Sequence, residues 1–262
     1  MFFDEGMSVF IMKLQGVSLT LATGVLLLAG VVERSLLKGA VAAKPDTNLT
    51  GSVVGRVRLE GLKPEPTRTN MSSDPTCAKQ HSGALIGEDF VVGSEGALEN
   101  VVVFISDGMN GKSFDVPAEA AVIEQKGCVY KPHVVAMRAD QKLRIVNSDN
   151  TLHNIHPVPT NNREWNKAQP AGSTLEETFA REEIAIPVKC NVHPWMRSYI
   201  AVFKHPYFAV TGKGGSFDLR NLPPGEYTVK AWHEKLGMMP QKITVAAGEA
   251  KKVEFVFKAP GH

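Results

Sequence analysis

Apolar and polar positions alternate in short runs along most of this chain, with a period of two and turn residues between the runs. Gly51-Ser52-Val53-Val54-Gly55-Arg56-Val57-Arg58-Leu59 is the first. Its small or apolar side chains take turns with polar ones, as on a strand with one buried face. Asn100-Val101-Val102-Val103-Phe104-Ile105 is apolar almost throughout, which suits a strand buried on both faces. Further strands are expected at 134–137, 142–146, 184–189, 198–203, 208–211, 216–219, 227–232, 241–245 and 251–257. The stretch 64–96 reads as loop. Glycine (23) and proline (16) punctuate the runs, and the body carries no long amphipathic pattern of helical period. The expectation is an all-β chain whose half-buried sheets pair as sandwiches.

The run 17–32 is different, being apolar without alternation, with Lys13 before it and Ala40-Val41-Ala42-Ala43 after it. It is shorter than the roughly 20 residues of a membrane-spanning helix, and small residues at a fixed offset mark a cleavage site. Residues 1–42 therefore read as an export signal cleaved near Ala42, with Met12 as an alternative start. Glu33, Arg34 and Lys38 lengthen the polar stretch before that site, so an uncleaved membrane anchor is the alternative. Either way the body is expected in the periplasm or elsewhere outside the cytoplasm, where disulfides persist. At 262 residues, 43% hydrophobic, the chain can bury one large core or two small ones. Its 29 basic and 27 acidic residues nearly balance, which argues against a nucleic-acid partner.

The chemistry gathers in Cys190-Asn191-Val192-His193-Pro194-Trp195-Met196, where a thiolate, an imidazole and a thioether stand three residues apart. His153, in Leu152-His153-Asn154-Ile155-His156, follows an expected strand and supplies a second imidazole. One cysteine sulfur, two histidine nitrogens and a weak axial methionine form the donor set of a type 1 (blue) copper electron-transfer centre. Zinc held by Cys190, His193, His153 and His156 is the alternative, because zinc accepts such a tetrahedral set and ignores methionine. A lone cysteine on the loop excludes a binuclear copper centre. Lys189 and Asn191 beside it exclude a His-Cys-His bridge to a trinuclear cluster, and the chain lacks the C-x-x-C-H of a c-type haem. No catalytic constellation accompanies the donors, so the expectation is a protein that is not an enzyme. Cys77 and Cys128 most simply form a disulfide; a second metal site with His81 and His133, or two free thiols, stay open. His156 and His233 are expected at the surface or a sheet edge.

Two family resemblances add to this. Gly215-Ser216-Phe217-Asp218-Leu219-Arg220-Asn221-Leu222-Pro223-Pro224-Gly225-Glu226-Tyr227 resembles the signature of carboxypeptidase-regulatory-like domains, small transthyretin-like or Ig-like sandwiches that open with a strand like 51–57. Here the next strand of such a domain comes only about a hundred residues later, which implies a host sandwich at 51–117 plus 206–258, interrupted by an insertion at 118–205. The insertion resembles the cupredoxins, Greek-key sandwiches, and among them the amicyanin and plastocyanin type. His153-Asn154-Ile155-His156 and Cys190-x2-His193-Pro194-Trp195-Met196 carry that likeness. The resemblance implies an electron carrier, with Asn154 tying the two ligand loops and directing its N–H at the thiolate. It also implies that Pro194 and Trp195 form an apolar collar around an exposed edge of His193 through which electrons leave. Lys189, Arg163, Lys167 and Arg197 are candidates for a basic rim that steers an acidic partner, and the partner implied is a methylamine-dehydrogenase-type enzyme or a c-type cytochrome. The alternative function is copper handling, or a structural sandwich of the cell envelope, without electron transfer.

Overall fold

The computed structural model describes residues 49–109 and 111–260. The export segment expected at 1–42 lies outside them. Among the described residues there are 18 strands, one helix of a single turn at Pro75–Ala78 and one 3-10 turn at Ser94–Gly96, so the chain is all-β. No helix of the described residues is long and apolar enough to cross a membrane.

Gly51–Glu60 pairs antiparallel with Ser216–Leu222 on one side and parallel with Ala250–Lys258 on the other. The facing sheet runs Phe208–Val210, Val102–Asp107, Gly225–His233, Gly237–Val245. Between the two lies a core that includes Val53, Val57, Ile105, Leu219, Val229 and Phe255. The alternation of the first strand is the reason: Val53, Val57 and Leu59 point inward while Arg56 and Arg58 stay at the surface, where Arg58 meets Glu254 at 2.6 Å. Gly215, at the turn into Ser216–Leu222, has φ +65°, and a Cβ there would stand 2.4 Å from the Val57 carbonyl oxygen. Only glycine fits that turn.

Every strand of the second pair of sheets comes from residues 121–203. One sheet has the order Lys167–Gln169, His153–Pro157, Glu183–Lys189, Arg197–Phe203, Val134–Arg138; the other is Thr174–Glu177, Leu143–Asn147, Ala121–Gln125, Tyr130–Lys131. Their core includes Ile123, Leu143, Ile145, Ile155, Ile186 and Ile200. Met71 and Cys77 belong to this same core although they precede it by half a sandwich in sequence. They sit in the stretch expected as loop, which instead forms a short ladder between Arg68–Thr69 and Leu85–Ile86 and the Pro75–Ala78 turn.

The strand Val102–Asp107 has the burial on both faces that its apolar run predicts. Val103 and Ile105 enter the first core, while Val102 and Phe104 turn the other way to meet Val134, Ala201 and Phe203 of the second pair of sheets. The Phe104 and Phe203 rings are 5.0 Å apart. Beside this junction Arg138, 5% exposed, gives its guanidinium to four carbonyls: Phe114 (3.1 Å), Asp115 (3.1 Å), Phe203 (3.3 Å) and Lys204 (2.7 Å). The chain crosses from one sandwich to the other and back at those four residues, so one cation satisfies the backbone of both crossings.

Candidate metal centre

His153 opens the strand His153–Pro157, and Cys190 follows directly on Glu183–Lys189, which pairs with it through Lys189 opposite His156. The loop then closes on itself: the Met196 N–H donates to the His193 carbonyl (3.0 Å) and the Cys190 N–H to the Met196 carbonyl (3.3 Å). This tight turn carries Cys190 and His193 to the same end of the sandwich as His153. One ring nitrogen of each histidine and the Cys190 Sγ lie within 4.8 Å of one another. His153 Nδ1 faces His193 Nδ1 at 2.9 Å, and Cys190 Sγ is 3.9 Å from His193 Nδ1. All are shut away from water, with His153 0%, His193 2% and Cys190 3% exposed. Met196 is wholly buried in the same core.

The outer nitrogens are engaged elsewhere. His153 Nε2 donates to Asp149 Oδ2 (2.9 Å) and His193 Nε2 to Asp74 Oδ2 (2.9 Å). An ionised carboxylate only accepts, so each Nε2 carries its proton and each Nδ1 faces inward with a lone pair. Two lone pairs directed at each other across so short a gap need a positive charge between them, which a proton or a metal ion can supply. Burial pushes the His153 imidazole down, but its bonds to Asp149 and Cys190 outweigh burial and hold its pKa up to about 9. Burial likewise raises Asp149, yet the bonds from His153 and from the N–H groups of Cys128 and Gly127 hold it down to about 2. Burial also pushes the Cys190 thiol up; the bond from His153 and the N–H groups of Asn154, His193 and Val192 more than reverse this and bring it to about 6. The sulfur is thus set up as a thiolate before any metal is considered.

The His153–His193 and His193–Cys190 separations suit a single ion. With imidazole about 2.0–2.1 Å and thiolate about 2.3 Å from a bound first-row metal such as zinc, two ligands of one ion stand no more than about 4.4 Å apart. Both observed separations lie inside that bound. The fit does not extend to the zinc set. His156 is three residues beyond His153 on a strand and so points to the opposite face, where it contacts Asn191 Oδ1 (3.1 Å) and Glu164 Oε1 (2.6 Å). The second site built on Cys77, His81, Cys128 and His133 is also overturned: Cys77 and Cys128 are joined in a disulfide, His81 Nε2 meets the Gly127 carbonyl at 2.7 Å, and His133 pairs with Glu234.

Asn154 ties the two loops, its Oδ1 accepting from the Asn191 N–H at 2.5 Å. The Trp195 indole lies against the His193 ring with centroids 5.1 Å apart, and its Nε1 donates to the Cys128 carbonyl (3.1 Å). Pro194 is exposed and Trp195 half-buried, both on the wall of a cavity of about 450 Å³ shared with Leu85, Tyr130, His133 and Arg197. The exposed edge expected for His193 is absent: at 2% exposure, that edge is covered by Asp74 and by Cys77, whose Sγ is 3.6 Å from Nε2. Of the basic rim, Lys189 and Arg197 are exposed cross-strand neighbours, whereas Lys167 is paired with Glu177. His233, expected at a surface or edge, is 1% exposed inside the first sandwich.

Sequence reasoning missed Asp149 and Asp74. Asp149 left a local signal, since it precedes His153 by four residues in the turn after an expected strand. Asp74 left none, standing 119 positions from its partner.

No family model matches the chain, and no curated protein matches it. Among solved structures it is similar in part to a purple cupredoxin from Nitrosopumilus maritimus, at 21% identity over 31% of this chain and 98% of that one, with a TM-score of 0.28. It is also similar to amicyanin from Paracoccus versutus, at 20% identity over 38% of this chain and 96% of that one, with a TM-score of 0.29. A third likeness is to a copper-containing nitrite reductase from Thermus scotoductus, at 16% identity over 38% of this chain and 27% of that one, with a TM-score of 0.31. The chemistry of the site rests on its own residues.

Proposed function

We propose that this chain is an exported electron carrier with one type 1 copper, held by His153 Nδ1, His193 Nδ1 and the Cys190 thiolate, with Met196 as the weak axial ligand. The observation that carries the reading is the pair of Nδ1 atoms 2.9 Å apart beside the Cys190 sulfur while both Nε2 atoms are fixed on carboxylates. Bound copper supplies a one-electron couple. The chain's part is to keep the ligands still: two sheets and two carboxylates fix the imidazoles, and the tight loop fixes Cys190 and Met196. Burial of all four donors favours a carrier over a catalyst, because a catalytic metal keeps an open position for substrate. In this reading 118–205 is a copper module carried by a host sandwich of 51–117 plus 206–258. Its redox partner, a dehydrogenase or a c-type cytochrome, docks near Pro194 and Trp195, with Lys189 and Arg197 steering it.

The test is addition of Cu(II) to the purified chain, followed by its visible spectrum and voltammetry. An intense blue thiolate-to-copper band with a reversible one-electron wave is expected. Cys190→Ser should abolish the band and Cys77→Ser should keep it. Absence of the band in the wild-type chain sinks the proposal.

A further inference from the structure

The residues that close the metal centre do not all come from the strands that build it. Asp74 belongs to the stretch between the first two strands of the other sandwich, and it uses both carboxylate oxygens. Oδ1 accepts from the Thr76 (2.8 Å) and Cys77 (3.0 Å) N–H groups and so caps the Pro75–Ala78 turn, while Oδ2 accepts from His193 Nε2 (2.9 Å). The turn itself is held down at Cys77 by the disulfide to Cys128, and the Cys128 and Gly127 N–H groups bind Asp149, the partner of His153. Both histidines are therefore gripped from behind by carboxylates that meet at one disulfide.

Resting on the copper reading above, we propose that Asp74 is a positioning residue of the metal centre: from outside the ligand-bearing sheets it holds the outer nitrogen of His193, seals the edge of that ring, and lowers the reduction potential of the bound metal. The reasons are geometric and electrostatic. His193 sits on a loop, not in a ladder, and its ring is free to turn about two bonds unless something grips Nε2. A carboxylate bonded to a ligating imidazole raises the basicity of that ligand. Its negative charge, only 25% exposed and bonded to a ligating ring, favours the more highly charged oxidation state.

Asparagine at position 74 keeps the helix cap and can still accept from His193, but carries no charge; alanine removes cap, bond and charge together. In the full-length chain, D74N is expected to retain the blue band and raise the potential. D74A is expected to raise it as well and to weaken copper affinity about 10- to 100-fold, measured by competition with a chelator. Ring-nitrogen NMR without added metal gives a readout that needs no copper: the slowly exchanging His193 Nε2–H should survive in D74N and be lost in D74A. A cap that merely fills space predicts a D74N chain with the wild-type potential, and that result overturns the proposal. If wild type gives no blue band, the copper reading fails, and the Nε2–H signal alone then decides whether Asp74 holds His193; an unchanged signal in D74A overturns that too.

Discussion

The two sandwiches bury histidine in opposite ways. In the second sandwich His153 is 0% exposed, yet Asp149 and Cys190 face it and hold its pKa up to about 9. In the other sandwich His233 is 1% exposed, lies between Phe90 (ring centroids 5.5 Å away) and Phe257 (6.4 Å), and has a pKa of about 4 because burial outweighs the attraction of Glu234. His233 Nδ1 accepts from the Lys235 N–H at 3.3 Å, and its Nε2 has no hydrogen-bond partner among the described residues. Burial is the same in both places; the partner decides the charge. The first environment suits a group that must face a cation, and the second a ring that only fills space.

The largest effect that bears on this contrast is structural. Phe255, 1% exposed in the core of the first sandwich, should cost about 3–5 kcal/mol when cut to alanine. Because Phe104 and Phe203 weld the two cores, Phe255→Ala should lower the stability of both sandwiches in one transition, followed by near-ultraviolet dichroism and by the copper band. Two separated transitions would show the sandwiches to be independent.

A smaller effect is pH-dependent and belongs to His233. Its folded pKa of about 4 lies below the ordinary histidine value of about 6.5, so between these the unfolded chain binds a proton that the native chain does not. Its contribution to stability is therefore whole above about pH 6.5 and falls away as pH drops to about 4, by roughly 3 kcal/mol in all. His233→Phe should lack this loss, so its unfolding free energy should gain on wild type as the solution is acidified; parallel curves for the two chains would contradict the assignment.

The smallest effect tests the other half of the contrast. Asp149→Asn keeps the shape around His153 and removes the charge, and should weaken metal affinity by about 10-fold, the lower end of what such partners contribute. Chelator competition measures it, and an affinity equal to wild type would mean that the carboxylate is not what readies His153.

Much of this was legible because strands repeat every two residues. The two-sided burial of Val102–Asp107 follows from its unbroken apolar run, and the tight loop of the metal centre from the three-residue spacing of Cys190, His193 and Met196. What escaped has a common physical cause. Strands such as Lys167–Gln169 and Thr174–Glu177 are short, mostly polar and edge-like, so no apolar alternation announces them. The stretch 64–96 reads as loop because its order comes from a disulfide and a neighbouring core, not from its own periodicity. Asp74 is invisible for the same reason, since a carboxylate that acts across 119 positions leaves no mark in its own vicinity. The zinc alternative could have been set aside from the sequence, because an odd offset along a strand puts His156 on the face opposite His153.

Arg138 has a consequence for how such a chain can be assembled. Its guanidinium gathers Phe114 and Asp115, where the backbone departs, with Phe203 and Lys204, where it returns. An excursion whose two ends are tied at one point keeps those ends together whatever its own length, while Met71 and the Cys77–Cys128 bond fasten it to the earlier stretch as well. The second sandwich is in that sense clasped at its own entrance, and the clasp is one of its own residues.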